Sequence, residues 1–371
     1  MSINILGQIL EASETTDPQL ALNGNRYSFI LMSFPIASMI TKLKDENPLL
    51  PVILFSNPYF EYGDSFWLAP NQEALDAARA LYGLVEEDDD PILFGGDPNI
   101  PLMDISNSLW QVEFAEEAKK HTDASGADGF FLDTIDETLP NWATGPLGEL
   151  PKGYTESGWA TSINTFFDGV VAEFAGTAEI STNSATRAPS ISGIVGDNNQ
   201  NVLAKSDSVS VEAYGVGKPL DEAGVGNVNK DWYFHETIMK DMLKLVSLGK
   251  PVFIEANGLT DDIELRLFSL CSFLLIEGPS THFYFTTVAQ SGTLVWRTEW
   301  ETNIGSPIGD FYIDNKTGIY SRDFINGKVL VNPTPMTIKF NVIGSYVNYD
   351  TSAINNPITI APYNAKLLLK N

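Results

Sequence analysis

Basic residues are scarce in this chain: 22 Lys and Arg stand against 48 Asp and Glu, a formal net charge of −26 at pH 7. Such a surface repels phosphate backbones and anionic lipid headgroups, which sets nucleic acid and charged membranes aside as partners and leaves neutral or cationic ones. Cysteine is nearly absent. The single Cys271, inside LFSLCSFLLIEG, can close no internal disulfide and is expected to be a small buried hydrophobe. The three histidines, His121, His235 and His282, lack the spacing of metal ligands, and GxSxG does not occur. Zinc hydrolysis and serine-esterase chemistry are therefore set aside, and no metal or organic cofactor is expected. Long apolar runs are missing too. No stretch reaches the roughly 20 residues that span a bilayer, and MSINILGQILEASETTD has no basic segment leading into an apolar one, so neither a membrane span nor a standard export signal is expected.

What is present is enough apolar material for a large core: 43% of 371 residues. Short β-rich runs alternate with longer segments of helical period. The runs are RYSFILMSF (26–34), LPVILFSN (50–57), PLMDIS (101–106), GFFLD (129–133), AEIST (178–182), SVSVEAY (208–214), KPVFIEAN (250–257) and HFYFT (282–286). Eight such runs is the number a closed (β/α)8 barrel needs. An open doubly wound sheet is the competing fold, but no glycine-rich phosphate turn follows the first run. Between the runs, WATSINTFFDGVVAEFAG places Trp159, Ile163, Phe166, Val170 and Phe174 on one helical face.

After about residue 305 the period changes to short alternating strands broken by Asn-Lys, Asn-Gly and Pro signals. The expected architecture is α/β: a (β/α)8 TIM barrel over residues 1–304, followed by a small antiparallel β-sandwich over 305–371.

In such a barrel the C-terminal tips of the strands converge on one mouth, so acidic residues that close apolar runs are the first candidates for chemistry. Asp104 lies in the third run, Asp133 ends the fourth, Glu212 falls in the sixth, Glu255 in the seventh, and Glu277 precedes the eighth. Each has a plain alternative as a helix cap or a buried ion pair, the latter weakened by the shortage of Lys and Arg. Two carboxylates at a barrel mouth are the apparatus of glycoside hydrolysis, one at the anomeric carbon and one protonating the leaving oxygen.

Aromatic residues crowd the segments after the runs: Tyr59 and Trp67 after the second, Trp110 after the third, Tyr214 after the sixth. Sugar rings stack on such faces, and loop packing uses the same residues. His282 could line the mouth or sit in the core.

PLMDISNSLWQVEFAEEA, GADGFFLDTID and VSVEAYG, in that order, resemble glycoside hydrolase families with a (β/α)8 barrel, and the tail IYSRDFINGKVLVNPT extends the resemblance. In those families an Arg-x-Phe-x-Asn-Gly-x-Val-Leu-Val-Asn-Pro stretch opens a C-terminal β-sandwich, and Arg322, Phe324, Asn326, Gly327 and Asn332 fit it. The layout is similar to that of the retaining α-galactosidase and α-glucosidase clan. That resemblance implies Asp133 as nucleophile and Glu212 as acid/base, with Asp136 or Asp104 binding sugar hydroxyls. The implied partner is a carbohydrate, and the implied activity is glycoside hydrolysis of a polysaccharide or oligosaccharide, a surface-glycan depolymerase included. The rival reading is a non-catalytic carbohydrate-binding or virion adhesion protein on the same scaffold. The missing export signal fits a cytoplasmic enzyme and a phage-particle protein equally.

Overall fold

A computed structural model of the protein describes residues 3–9, 24–33, 36–59, 73, 77, 80–85, 90–93, 102–135, 137, 150–185, 200–211, 239, 242–258, 261–287 and 294–371. Eight strands form one parallel sheet in chain order: β1 (Leu6–Ile9), β2 (Phe29–Met32), β3 (Val52–Ser56), β4 (Gly129–Leu132), β5 (Glu179–Ala185), β6 (Ser208–Val211), β7 (Val252–Gly258) and β8 (Thr281–Thr287). The sheet closes on itself: Ile5 bridges Phe283 in parallel, and the Phe283 amide donates to the Asn4 carbonyl at 2.9 Å. The barrel expected from alternating runs is there, with two differences in its parts.

The first difference is β1, four fully buried residues at the N-terminus that the run count omits. The second is the run 101–106, which is no barrel strand. Met103 pairs with Gly83 in an isolated antiparallel bridge, and its amide donates to the Tyr59 carbonyl at 2.9 Å. Asp104 therefore belongs to the excursion between β3 and the following helix, not to a strand tip. One omission and one excess cancel, so GFFLD keeps its place as the fourth strand.

Strand alternation sorts the side chains. Ile30, Met32, Leu54, Phe130 and Leu132 face outward into the main core, while Leu6, Phe29, Leu31, Ile53, Phe131, Phe253 and Tyr284 form a separate cluster inside the barrel. On β5 and β6 the inward positions are polar instead: the Ser181 and Ser208 hydroxyls lie 2.5 Å apart, and both donate to Glu179 Oε1, Ser208 at 2.7 Å and Ser181 at 3.2 Å. Burial pushes the Glu179 carboxyl up. Gly129 is required where β4 passes β5, because a methyl there would meet the Glu179 carbonyl oxygen at 2.2 Å.

The helices obey their local signals. α1 (Ala37–Glu46) follows β2. α2 (Ser108–Ser125) starts at Asn107, whose side chain accepts from the Leu109 amide at 3.0 Å, and stops at Gly126 with φ 76°. α3 (Glu156–Phe174) is capped by Thr155 and buries Trp159, Ile163, Phe166, Val170 and Phe174, the stripe its period predicts. After α4 (Gln200–Lys205) comes α5 (Ile263–Ile276), in which every residue from Phe268 to Ile276 is buried. No amphipathic stripe could produce that. One side of α5 lies on the barrel and the other is covered by the C-terminal sheet.

That sheet runs β13-β15-β11-β10-β9, from β9 (Pro307–Ile313), β10 (Tyr320–Phe324), β11 (Gly327–Asn332), β13 (Tyr346–Asn348) and β15 (Asn364–Lys370). β12 (Ile338–Phe340) and β14 (Ile358–Ile360) pair as a second sheet and complete a small antiparallel sandwich around Leu330, Phe340, Ile360 and Leu368. Arg322 on β10 reaches out of the sandwich, donating to the Leu274 carbonyl at 3.0 Å and the Glu277 carbonyl at 2.9 Å, so it serves the last turn of α5. Glu277 thus sits at a helix end near the barrel floor. Cys271 is buried, as its surroundings predict.

Candidate active site

Two aspartates bracket GFFL, and β4 carries them to opposite ends of the barrel. Asp128 is at the floor, where its carboxylate accepts from the Val52 amide at 2.8 Å and from Lys44 at 2.5 Å. Asp207 does the same for the neighbouring pair, accepting from the Ile180 amide at 2.8 Å. These are structural carboxylates. Asp133, about 16 Å further along at the usual strand rise, lies at the C-terminal end, the side on which barrel enzymes bind.

Asp133 is half-buried. Its amide donates to the Ser56 carbonyl at 2.9 Å, and its carboxylate accepts from Asn183 Nδ2 at 2.8 Å and from Asn57 Nδ2 at 3.2 Å. Thr134 follows in the left-handed region, φ 58°, where its hydroxyl and amide also turn toward the carboxylate. Phe55 and Phe131, two residues below Asn57 and Asp133 on the same strands, stack with centroids 5.5 Å apart and floor the site. Burial raises the Asp133 carboxyl; the amides of Asn183 and Asn57 and the Thr134 contacts pull against it.

A second inward carboxylate sits on β7. Glu255 accepts from Gln8 Nε2 at 2.8 Å and pairs in register with Tyr284, whose phenol is raised first by burial and then by the Glu255 charge. Gln8 is itself buried. Among the described residues no group of three His, Cys, Asp or Glu side chains converges to hold a metal ion.

The remaining candidates separate. Glu212, Asp136, Trp67 and Tyr214 lie outside the described residues, Glu212 directly after the last described residue of β6. Asp104 accepts from the Ser106 amide at 2.8 Å and hydroxyl at 2.7 Å, and from the Tyr154 hydroxyl, a turn that leads into α2. Tyr59 and Trp110 are each 1% exposed. Tyr59 stacks on Trp159, and Trp110 packs on Tyr82 and Phe114 while its indole N–H donates to the Pro58 carbonyl at 3.1 Å. Both are packing anchors with no face left for a sugar. His282 lies at the start of β8, on the floor, against Phe29 and Phe253, with Nδ1 2.7 Å from the Ser28 hydroxyl. It does not line the mouth.

Burial holds the His282 imidazole down at about 4, against an ordinary 6.5. The unfolded chain takes up a proton between those values that the folded chain refuses, so this residue lowers stability as pH falls through the window. In His282→Gln about 2–3 kcal/mol of that loss should vanish. Glu277 works in the opposite sense, its carboxyl pushed up to about 7 by burial, so stability declines as pH rises toward that value. Denaturant unfolding of variant and wild type at pH 7 and pH 4.5 isolates the histidine. A difference that does not change with pH would place the imidazole in water.

The residues that hold the carboxylates, Asn57, Asn183 and Gln8, are not singled out by composition or motif. Asparagine closing an apolar run reads as a turn signal. The available signal was parity: Asn57 shares its strand face with Phe55, as Asn183 does with Ser181.

A family profile described as hypothetical glycosyl hydrolase family 15 matches residues 82–328. No curated protein matches the chain. Among solved structures it is similar to the glycoside hydrolase domain of PelA from Pseudomonas aeruginosa, at 14% identity, with 79% of this chain and 97% of that chain covered and a TM-score of 0.52. It is similar also to a structure described as a family GH13_31 enzyme, at 12% identity, 99% coverage of each chain and a TM-score of 0.57. A third is a noncanonic maltogenic alpha-amylase, AmyB from Thermotoga neapolitana, at 9% identity, with 100% of this chain and 99% of that chain covered and a TM-score of 0.52. At these identities the likeness is one of fold.

Proposed function

The chain belongs to hypothetical glycosyl hydrolase family 15, and from that premise we propose that it hydrolyses O-glycosidic bonds of a polysaccharide or oligosaccharide with Asp133 as nucleophile and Glu212 as acid/base. The observation that carries the reading is Asp133 itself: a half-buried carboxylate at the C-terminal end of β4, gripped by amides from both neighbouring strands. A carboxylate so placed has no partner of opposite charge among the described residues, which suits a group that must meet developing positive charge on a sugar ring.

In the first step an Asp133 oxygen attacks the anomeric carbon as the bond to the leaving oxygen breaks, and Glu212 gives that oxygen its proton. In the second, water attacks the same carbon, Glu212 takes a proton from it, and the bond to Asp133 is released. Two displacements retain configuration, and they require carboxyls about 5 to 5.5 Å apart. Glu255, held by Gln8, and Asp136 are the proposed contacts for sugar hydroxyls, with Trp67 and Tyr214 as stacking faces.

The formal charge of −26 favours a neutral or cationic glycan, such as a cell-surface polysaccharide free of uronic acids, over a polyanion. The test is release of reducing ends from a panel of neutral, cationic and uronic-acid glycans, with the first-formed anomer of the product read by proton NMR. Retained configuration on a neutral or cationic substrate is expected. Inverted product would remove the nucleophile role, and tight binding without release from any glycan would favour the adhesion reading.

A further inference from the structure

β4 lies between β3 and β5, and each neighbour sends one asparagine to Asp133. Asn183 Nδ2 reaches Oδ1 at 2.8 Å and Asn57 Nδ2 reaches Oδ2 at 3.2 Å, so the two carboxylate oxygens are held from opposite flanks. The Asn57 amide is locked in this orientation. Its Oδ1 accepts from the Tyr59 amide at 3.0 Å and its Nδ2 donates also to Thr134 Oγ1 at 3.1 Å, so a flipped amide would set oxygen against oxygen and N–H against N–H. Asn57 and Asn183 are buried, 3% and 4% exposed, Asn183 within β5 and Asn57 directly after β3.

Among the described residues the charged groups on the surrounding elements give no help, and Arg187, two residues past β5, lies outside them. Glu179 lies lower on β5 and Glu255 across the barrel on β7, while Glu137 follows in the chain. Asp136 and Glu212, outside the described residues, are acidic as well. Among the described residues, two neutral amides thus do what a lysine or arginine usually does, and no described cation cancels the negative charge.

We propose that Asn57 and Asn183 are positioning residues that fix the plane of the Asp133 carboxylate and keep it in its accepting, ionised form for attack on the sugar. This rests on Asp133 being the nucleophile of the proposed hydrolysis. Removing either donor leaves the carboxylate on its phenylalanine floor with less to oppose protonation.

In Asn183→Leu and in Asn57→Leu the acid limb of the kcat/KM profile should move up by about one pH unit, a loss of up to roughly tenfold on the acid side of the limb that disappears on its alkaline side, with KM little changed. A purely structural role would lower activity equally at all pH values. Asn183→Ser, whose hydroxyl falls short of the carboxylate, gives a gentler version should the leucine variants not fold. The independent readout is carbon-13 NMR of aspartate side-chain carboxyls, with Asp133→Asn identifying the resonance. An Asp133 midpoint that rises in the asparagine variants along with the acid limb supports the inference, and an unmoved midpoint overturns it whatever the activity does. A midpoint that rises while Asp133→Asn retains full activity overturns the nucleophile assignment beneath it, and the two failures are told apart by the NMR.

Discussion

Asp133→Asn should reduce glycan hydrolysis by about 10^3- to 10^5-fold in kcat with little change in KM, because it removes the atom that forms the covalent bond while keeping its size. The folded state should survive. The asparagine oxygen can still accept from Asn183 Nδ2, and the lost charge is one that burial opposes, which offsets the new amide nitrogen set against Asn57 Nδ2. Thermal unfolding at neutral pH should therefore shift by only a few degrees. A stronger form of the experiment replaces Asp133 by Gly and adds azide. If Asp133 is the nucleophile, azide should fill the vacated space and attack an activated glycoside, giving glycosyl azide of inverted configuration. Hydrolysis in Asp133→Asn within tenfold of wild type would remove the residue from the mechanism, whereas loss of activity together with loss of fold would make it structural.

The largest expected stability effect lies at Arg266. Its Nε donates to Glu299 Oε1 at 2.6 Å and its guanidinium to Asp261 Oδ1 at 2.5 Å, while Arg297 holds the other Asp261 oxygen at 2.6 Å. Glu299 is wholly buried and its Oε2 has no hydrogen-bond partner among the described residues. Arg266→Met strands that carboxylate without its cation, which should cost about 3–5 kcal/mol. For a chain of 371 residues that corresponds to roughly 4–6 °C in Tm. Adding Glu299→Gln should recover a good part of the loss, since the stranded charge is what destabilises. Calorimetry of wild type, the two single variants and the double variant checks this. Additive losses would mean that the pair does not interact as drawn.

The barrel is legible in the sequence wherever apolar runs and helical stripes recur, and α3 shows why: Trp159 to Phe174 at spacings of three and four must share a face. What an apolar run does not state is its partner. Residues 101–106 have a strand's composition yet pair with Gly83 and Tyr59, and LGQI is too short to stand out although it closes the barrel. The candidate site is legible in its acids, since a carboxylate closing GFFL has few reasons to be there. Its amides are not, because Asn57 and Asn183 carry no motif and only the parity they share with Phe55 and Ser181 marks them. Large aromatics mislead for a physical reason: side chains such as Tyr59 and Trp110 each bury a large area, and the core has first claim on them.

Arg322 crosses from the sandwich to the carbonyls that end α5, and the sandwich covers the face of that helix from Phe268 to Ile276. The helix is as much a part of one layer as of the other. Peeling the C-terminal strands away would bare the sandwich-facing side of this buried stretch and uncap the helix in a single event. The working lifetime of the barrel in a harsh medium is then set by how slowly the sandwich lets go, and proteolytic nicks between Trp300 and Pro307 would inactivate an enzyme whose mouth they never touch.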